Sequence, residues 1–270
     1  MENGNGQVSE WKYVSLEMDG DVALLGLNRP EKRNAICEQL VQEIGQAVEA
    51  ARRSARAGVV FGHGKHFCAG LDLAEFSQGA GLRSIADAHS WHDIFARIEF
   101  GKLPWFSALH GAVIGGGLEL AAATHVRIAD ESAFFALPEG QRGIFVGGGG
   151  SVRISRLLGT ARMMDLMLTG RTLSAEQGER WNLCQYVVPQ GEALTTAISL
   201  ARKAASNADL SNYAIINALP RIKEMPRDDG YFVELMVSSM VGSSAEASSR
   251  VNDFLSKRAP KVGAPELAAE

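Results

Sequence analysis

Glu119 has the clearest claim to chemistry. It stands three residues after Gly116 in the stretch Ala108–Ala123, ALHGAVIGGGLELAAA, where an apolar run from Trp105 to Leu109 passes through Gly111 and the triplet Gly115, Gly116, Gly117 into an Ala/Leu-rich segment. That segment predicts a buried helix entered through glycines. Glycines let backbone approach a ligand closely, and the first N–H groups of a helix have no intrahelical acceptor, so they can donate to a negative oxygen. A spacing of three keeps two helical residues on one side, so the Glu119 carboxylate and the Gly116 N–H can face a single bound molecule. An acid and an oxyanion donor on one turn form a reactive pattern. The alternative is that Glu119 complements the positive end of the helix dipole, and this stretch alone leaves both readings open.

The elements that must position this turn can be read in order. Tyr13–Met18 and Val22–Asn28 alternate as two strands joined at Asp19-Gly20-Asp21, a hairpin signal. Leu40, Ile44 and Val48 recur at helical spacing up to Ala55, and Gly58–Gly62 is a short buried strand. The loop HGKHFCAGLDLAEF then opens a second helix through Gly70, and Ile85 to Phe100 is helical before the strand ending at Leu109. Strand, glycine turn and helix therefore occur twice, at Ala69-Gly70-Leu71 and at Gly115-Gly116-Gly117. That order implies a mostly parallel sheet, with both turns opening on one side beyond the strand ends. Val126–Ala129 and Ala133–Leu137 are strands. The four glycines at 147–150 are followed by Ser151-Val152 rather than the Lys and hydroxyl a phosphate loop needs. Beyond Ser151 the chain is nearly all helical apart from a strand at Gln185–Val188, with apolar Tyr231, Leu235 and Met236 suited to a partner subunit.

Composition bounds the class. A chain of 270 residues, 46% hydrophobic and 21% charged, can bury a large core. A net charge of −4 argues against a nucleic-acid surface. Cys37, Cys68 and Cys184 are too few and too scattered for a disulfide framework or zinc site, and no apolar leader or run of about 18 apolar residues occurs. These features predict a cytoplasmic protein without membrane or nucleic-acid partners. The expected organisation is a loose tail over 1–10, a core over 11–200, a helical oligomerisation region over 201–258 and a loose tail over 259–270.

Five motifs in register give the chain a family likeness. Asn28-Arg29-Pro30-Glu31-Lys32-Arg33-Asn34-Ala35, Gly64-Lys65-His66-Phe67-Cys68-Ala69-Gly70-Leu71-Asp72-Leu73, His110–Leu120, Phe135-Ala136-Leu137-Pro138-Glu139, and Thr169-Gly170-Arg171 with Ala175-Glu176 resemble the crotonase (enoyl-CoA hydratase/isomerase) superfamily. The resemblance implies an α/β fold, a crotonase-like spiral of ββα repeats with a helical C-terminal trimerisation region. It also implies trimers or dimers of trimers and acyl-CoA thioester substrates, with no cofactor beyond the coenzyme A of the substrate and no metal. Matched position by position, the oxyanion hole is the backbone N–H of Leu71 and Gly116, and the catalytic pair is Glu119 and Glu139. Arg33, Ala35, Ala69, Gly70 and Asp72 fall on coenzyme A-binding positions, and Lys257 on one that reaches a neighbour's 3′-phosphate.

The implied reaction is hydration of a 2-enoyl-CoA, with Glu119 deprotonating water and Glu139 protonating the α-carbon. The alternatives are an enoyl-CoA isomerase, a hydratase-lyase, or a silent crotonase-like scaffold or RNA-binding protein. Departures from the family pattern are Gly140 after the second glutamate, Ile144-Phe145-Val146-Gly147 where a proline-containing turn is usual, and Gly178 and Asn182 in place of Ala and Gly. Gly140 and the 144–147 segment predict a reshaped acyl pocket open to branched, aromatic or cyclic groups. Cys68 reads as packing rather than nucleophile, Asp72 as a helix cap, His110 as a structural hydrogen bonder, and His89 with His92 as lacking a third metal ligand.

Overall fold

The computed structural model describes residues 11–77 and 82–258. The tails expected at 1–10 and 259–270 lie outside the described residues.

The chain enters as β1 (Val14–Asp19) and β2 (Val22–Leu27), antiparallel through the turn at Gly20. Helix α1 (Glu38–Ser54) carries the Leu40, Ile44 and Val48 stripe onto the sheet, and β3 (Ala57–Gly62) returns parallel to β2. Next come α2 (Leu73–Ser77), α3 (Leu82–Glu99), β4 (Trp105–Leu109), β5 (Ala112–Ile114), α4 (Gly116–Ala123), β6 (Val126–Asp130) and β7 (Phe134–Ala136). The remainder is α5 (Gly150–Leu158), α6 (Thr160–Thr169), β8 (Thr172–Ser174), α7 (Ala175–Arg180), β9 (Tyr186–Val188) and α8 (Ala193–Ala205). A second contact unit, beginning at Asn207, holds α9 (Asp209–Ile222), α10 (Arg227–Gly242) and α11 (Ala245–Leu255).

The main sheet runs β1-β2-β3-β4-β6-β9, parallel from β2 onward, as the repeated strand-then-helix order requires. One face packs on α8 through Ala193, Ala197, Ala201 and Ala205, a stripe at every fourth position whose small side chains let the helix lie close. The other face carries the larger core, with Phe67, Phe95, Trp105 and Phe135 fully buried. The expected boundary at residue 200 falls inside α8, which belongs to the sheet, and the division follows Ser206. Within the second unit α9 packs on α10, and Leu219, Tyr231, Phe232, Leu235 and Met236 are exposed. Among the described residues no helix is long and apolar enough to cross a membrane.

The sequence reading ran straight from Leu109 to the glycine triplet and missed a strand. Ala112–Ile114 is β5, which leaves the main sheet to form a second one, β5-β7-β8. Three residues between glycines show no periodicity, so only pairing with β7 reveals the strand. Cys68 bridges Val113 in parallel, with Cys68 N–H donating to Ala112 O (2.9 Å) and Ile114 N–H to Cys68 O (3.0 Å). The segment bearing Gly70 is thereby laced to the one bearing Gly115 and Gly116.

The Arg29–Ala35 motif explains how that segment is held. Asn34, buried and left-handed (φ 55°), accepts from Arg29 N–H and donates to His63 O and His66 O at 3.0 and 2.8 Å. Asn tolerates this backbone better than most residues. Gly178 has a similarly local reason, because a β-carbon there would stand 2.3 Å from the Phe135 ring. Asn182 is likewise left-handed, at φ 66°.

Candidate active site

Parallel register sets the centre of the site. Cys68 and Val113 are paired, and three residues farther along each chain stand Leu71 and Gly116. Their separation is short: a β-carbon on Gly116 would be 3.9 Å from the Leu71 nitrogen. In the parallel bridge between Ile36 and Leu71, the bonds run from Ile36 N–H to Gly70 O and from Asp72 N–H to Ile36 O, so the Leu71 N–H points the other way. Gly116 opens α4, where an N–H has no helical acceptor. Neither N–H donates to a group among the described residues. Left-handed φ values at Gly70 (91°) and Gly115 (51°) make the turns, and a β-carbon on Gly70 would meet Ile114 O at 2.9 Å.

Both glycine turns line one pocket of about 170 Å³, together with Glu119 and Glu139. Glu119 is buried on the first turn of α4, but it does not merely offset that helix's dipole. Its Oε1 accepts Gly148 N–H and Gly150 N–H, both at 2.8 Å, so the carboxylate caps the start of α5. The four-glycine run, unassigned in the sequence, now has a role. A β-carbon on Gly150 would stand 2.7 Å from Glu119 Cγ and 2.8 Å from Oε1, so the backbone reaches the carboxylate only if that residue is glycine. Burial raises the Glu119 pKa against the opposing pull of these N–H donors and of Arg153.

Glu139 follows β7, which pairs with β5, and Gly115 N–H extends that pairing to Ala136 O at 3.0 Å. Its side chain is buried, and Oε2 has no hydrogen-bond partner among the described residues. Burial, assisted by the charge of Glu119, pushes its pKa up to about 7. Two carboxyl groups in one pocket thus have different surroundings, one held by N–H donors and the other left without a partner on one oxygen. Such a contrast suits one to act as base and the other as acid.

Ile36, Trp91, Ile144 and Phe145 supply apolar lining. Trp91 is fixed by its indole N–H, which donates to Glu38 Oε2 at 3.3 Å. Phe145 is largely exposed at the pocket.

The remaining sequence-derived site residues separate into groups. Gly70 and Asp72 line the pocket, but the Asp72 carboxylate is already engaged by Arg29 (2.9 Å) and by Ala74 N–H on α2 (3.2 Å). That is the capping role expected of it. Arg33 is exposed and left-handed, its carbonyl accepting Ala69 N–H at 3.0 Å, and Ala35 and Ala69 are half-buried beside it. Lys257 lies in the second unit, after α11, and is exposed. Cys68 is fully buried, its thiol donating to Asn34 O at 3.0 Å, and burial pushes its pKa up to about 12. It is a packing residue, as expected. His110 Nε2 donates to Gly64 O (3.1 Å), as its structural reading required, whereas His66 Nδ1 accepts Ala112 N–H (3.1 Å). The sequence reading missed Gly148, Gly150 and Trp91, and the only signal for the first two was the length of the glycine run.

The sequence matches the profile of the enoyl-CoA hydratase/isomerase family over residues 17–264. An enoyl-CoA hydratase of Mycobacterium tuberculosis is 31% identical over 91% of this chain and 94% of its own length. A 2,3-dehydroadipyl-CoA hydratase of Escherichia coli is 31% identical over 88% and 94%. Among solved structures, a provisionally assigned enoyl-CoA hydratase from Rhodopseudomonas palustris is 43% identical, with TM-score 0.88 over 91% of this chain and 95% of that one. An enoyl-CoA hydratase from Bacillus anthracis is 28% identical, with TM-score 0.87 over 93% and 98%.

Proposed function

The chain belongs to the enoyl-CoA hydratase/isomerase family, and on that footing we propose that it adds water across the double bond of a 2-enoyl-CoA to give a 3-hydroxyacyl-CoA. The observation that carries this reading is the carboxyl pair: Glu119 held by two N–H donors, and Glu139 buried in the same pocket with its pKa near 7. A double-bond shift needs one carboxyl to shuttle a proton. Addition of water needs a base and an acid.

In the proposed reaction the thioester oxygen lies between the Leu71 and Gly116 N–H groups. Glu119 takes a proton from water as the oxygen bonds to C3, and the π electrons move onto the thioester oxygen as an enolate. The two N–H groups stabilise that charge, and one such donor is worth about 10²–10³ in rate. The enolate then takes a proton at C2 from Glu139. Water's oxygen and one hydrogen end on C3 and the second hydrogen is held by Glu119. One proton returning from Glu119 to Glu139 resets the pair, so the net change is addition of one water.

Arg33, Ala35, Ala69 and Gly70 are assigned to the coenzyme A moiety, with Lys257 serving a neighbouring subunit's site. Asp72 supports that loop rather than touching the ligand. The exposed apolar residues of α9 and α10 are assigned to a homotrimer or dimer of trimers, to be checked by sedimentation. The decisive assay follows loss of conjugated thioester absorbance with crotonyl-CoA and with a bulky aryl or branched enoyl-CoA. Absorbance should fall, and Glu119→Gln and Glu139→Gln should each lower kcat by orders of magnitude. Coenzyme A ester binding without loss of conjugation would overturn hydration.

A further inference from the structure

Behind Glu119 stands a second ion pair that the reaction above does not use. Arg153, on the first turn of α5, donates from Nε to Glu99 Oε2 at 2.6 Å and from Nη1 to Gly148 O at 2.8 Å. Glu99 is the last residue of α3, and both side chains are mostly buried. A β-carbon on Gly149 would stand 2.3 Å from Arg153 Nη1, so the guanidinium closes against the glycine run. Gly148 is therefore gripped at both ends, its carbonyl by Arg153 and its N–H by Glu119.

We infer that Arg153, itself anchored by Glu99, is a positioning residue that fixes the Gly148–Gly150 backbone and through it the orientation and basicity of the Glu119 carboxylate. This deepens the hydratase reading and rests on it for its kinetic consequence. Four glycines in a row have little conformational preference of their own, so the loop's geometry must be imposed from outside. A charge-assisted bond from a planar guanidinium, with its other edge on a carboxylate, imposes it directionally. Of the charged groups, Arg153 on α5 acts on Glu119, with Glu99 behind it on α3; Glu139 couples to Glu119 and is itself opposed by Arg142, and Glu38, Asp72 and Glu75 line the same pocket. Arg153 favours the ionised carboxylate; Glu99 offsets part of that charge.

The two partners consequently have opposite electrostatic effects, although losing either one loosens the loop. Arg153→Gln removes a positive charge and should raise the Glu119 pKa; Glu99→Gln unmasks the guanidinium and should lower it. The test measures kcat, KM and the pH dependence of kcat/KM for wild type, Arg153→Gln, Arg153→Lys and Glu99→Gln. Alongside, infrared titration follows the Glu119 carboxyl, assigned with Glu119→Gln. For Arg153→Gln, kcat should fall about 10- to 100-fold with KM within about twofold, and the acid limb should move up by about half a pH unit or more. Arg153→Lys should restore the limb more fully than kcat, because it returns the charge without the fork. Glu99→Gln should move the limb down.

A merely structural role would lower the folded fraction and leave the limb in place. If Arg153→Gln does not fold, the direction of the Glu99→Gln shift decides. Should the wild type leave every conjugated enoyl-CoA unchanged, the hydratase reading fails while the infrared titration still judges the positioning. An unmoved Glu119 carboxyl in both Arg153→Gln and Glu99→Gln overturns the inference.

Discussion

Replacing Glu139 by Gln should cut activity by orders of magnitude and yet stabilise the fold in alkaline solution. Folding buries this carboxyl with one oxygen unpartnered, and its pKa rises from 4.5 in the unfolded chain to about 7. Well below pH 4.5 the group is protonated in both states and ionisation has no effect on stability. As pH rises, the unfolded chain releases its proton first, so the folded state binds more protons and stability falls until the pH passes about 7. At about 1.4 kcal/mol per tenfold change, the full gap amounts to about 3.5 kcal/mol, and the share between pH 5 and pH 8.5 is about 2.5 kcal/mol. Water entering the pocket trims this toward about 2 kcal/mol. Gln matches the neutral acid in shape and never ionises, so the variant escapes the loss.

Urea unfolding of both proteins at each pH, at one fixed protein concentration to hold any subunit association constant, measures it. The difference between Glu139→Gln and wild type should be small near pH 5 and favour the variant by about 2 kcal/mol near pH 8.5. Parallel curves over this range would mean that Glu139 ionises freely in the folded protein, and the acid role would go with it.

Other outcomes follow from single contacts. Gly150→Ala drives a β-carbon into Glu119 Cγ and Oε1, so kcat should fall by about 10² or more while the protein still folds; wild-type turnover would mean that the α5 cap does not orient the base. The alkaline limb of kcat/KM should fall near pH 7, where Glu139 loses its proton, and should vanish with the residual activity of Glu139→Gln. Asn34→Ala loses its hydrogen bonds to Arg29, His63 and His66 and strains a left-handed backbone, a destabilisation of about 3 kcal/mol by denaturant titration; a loss below about 1 kcal/mol would deny the motif its structural role. Thiol reagents at mild alkaline pH should label Cys68 only as fast as the protein opens, because its thiol is buried and its pKa stands near 12.

The chemistry was legible where residue type and spacing act locally. The turns at Gly70 and Gly115–Gly117, the parallel order of the strands, and Glu119 beside Gly116 all follow from short-range patterns, and all meet at one pocket. What escaped depends on partners far along the chain. Arg153 reads as an ordinary helical cation until Glu99, 54 residues earlier, is seen against it. The glycine run looks like filler until Glu119 arrives from α4 to accept its N–H groups. Strand β5 is too short to signal itself and exists because β7 lies alongside. Gly178 and Asn182 carry no local signal of their roles, since one answers to the Phe135 ring and the other is left-handed.

The lacing of Cys68 to Val113 has a consequence for how such a protein can change. Leu71 and Gly116 each lie three residues beyond a paired partner, so inserting or deleting one residue in either interval would slide one N–H donor along the ladder by about 3.3 Å and dismantle the pair. The stretch 140–147 lies outside those intervals. Its exposed side chains, Phe145 above all, can be rewritten without disturbing the register that aligns the donors. Reactivity and appetite are therefore inherited on separate stretches of chain, one intolerant of insertions and the other open to new side chains.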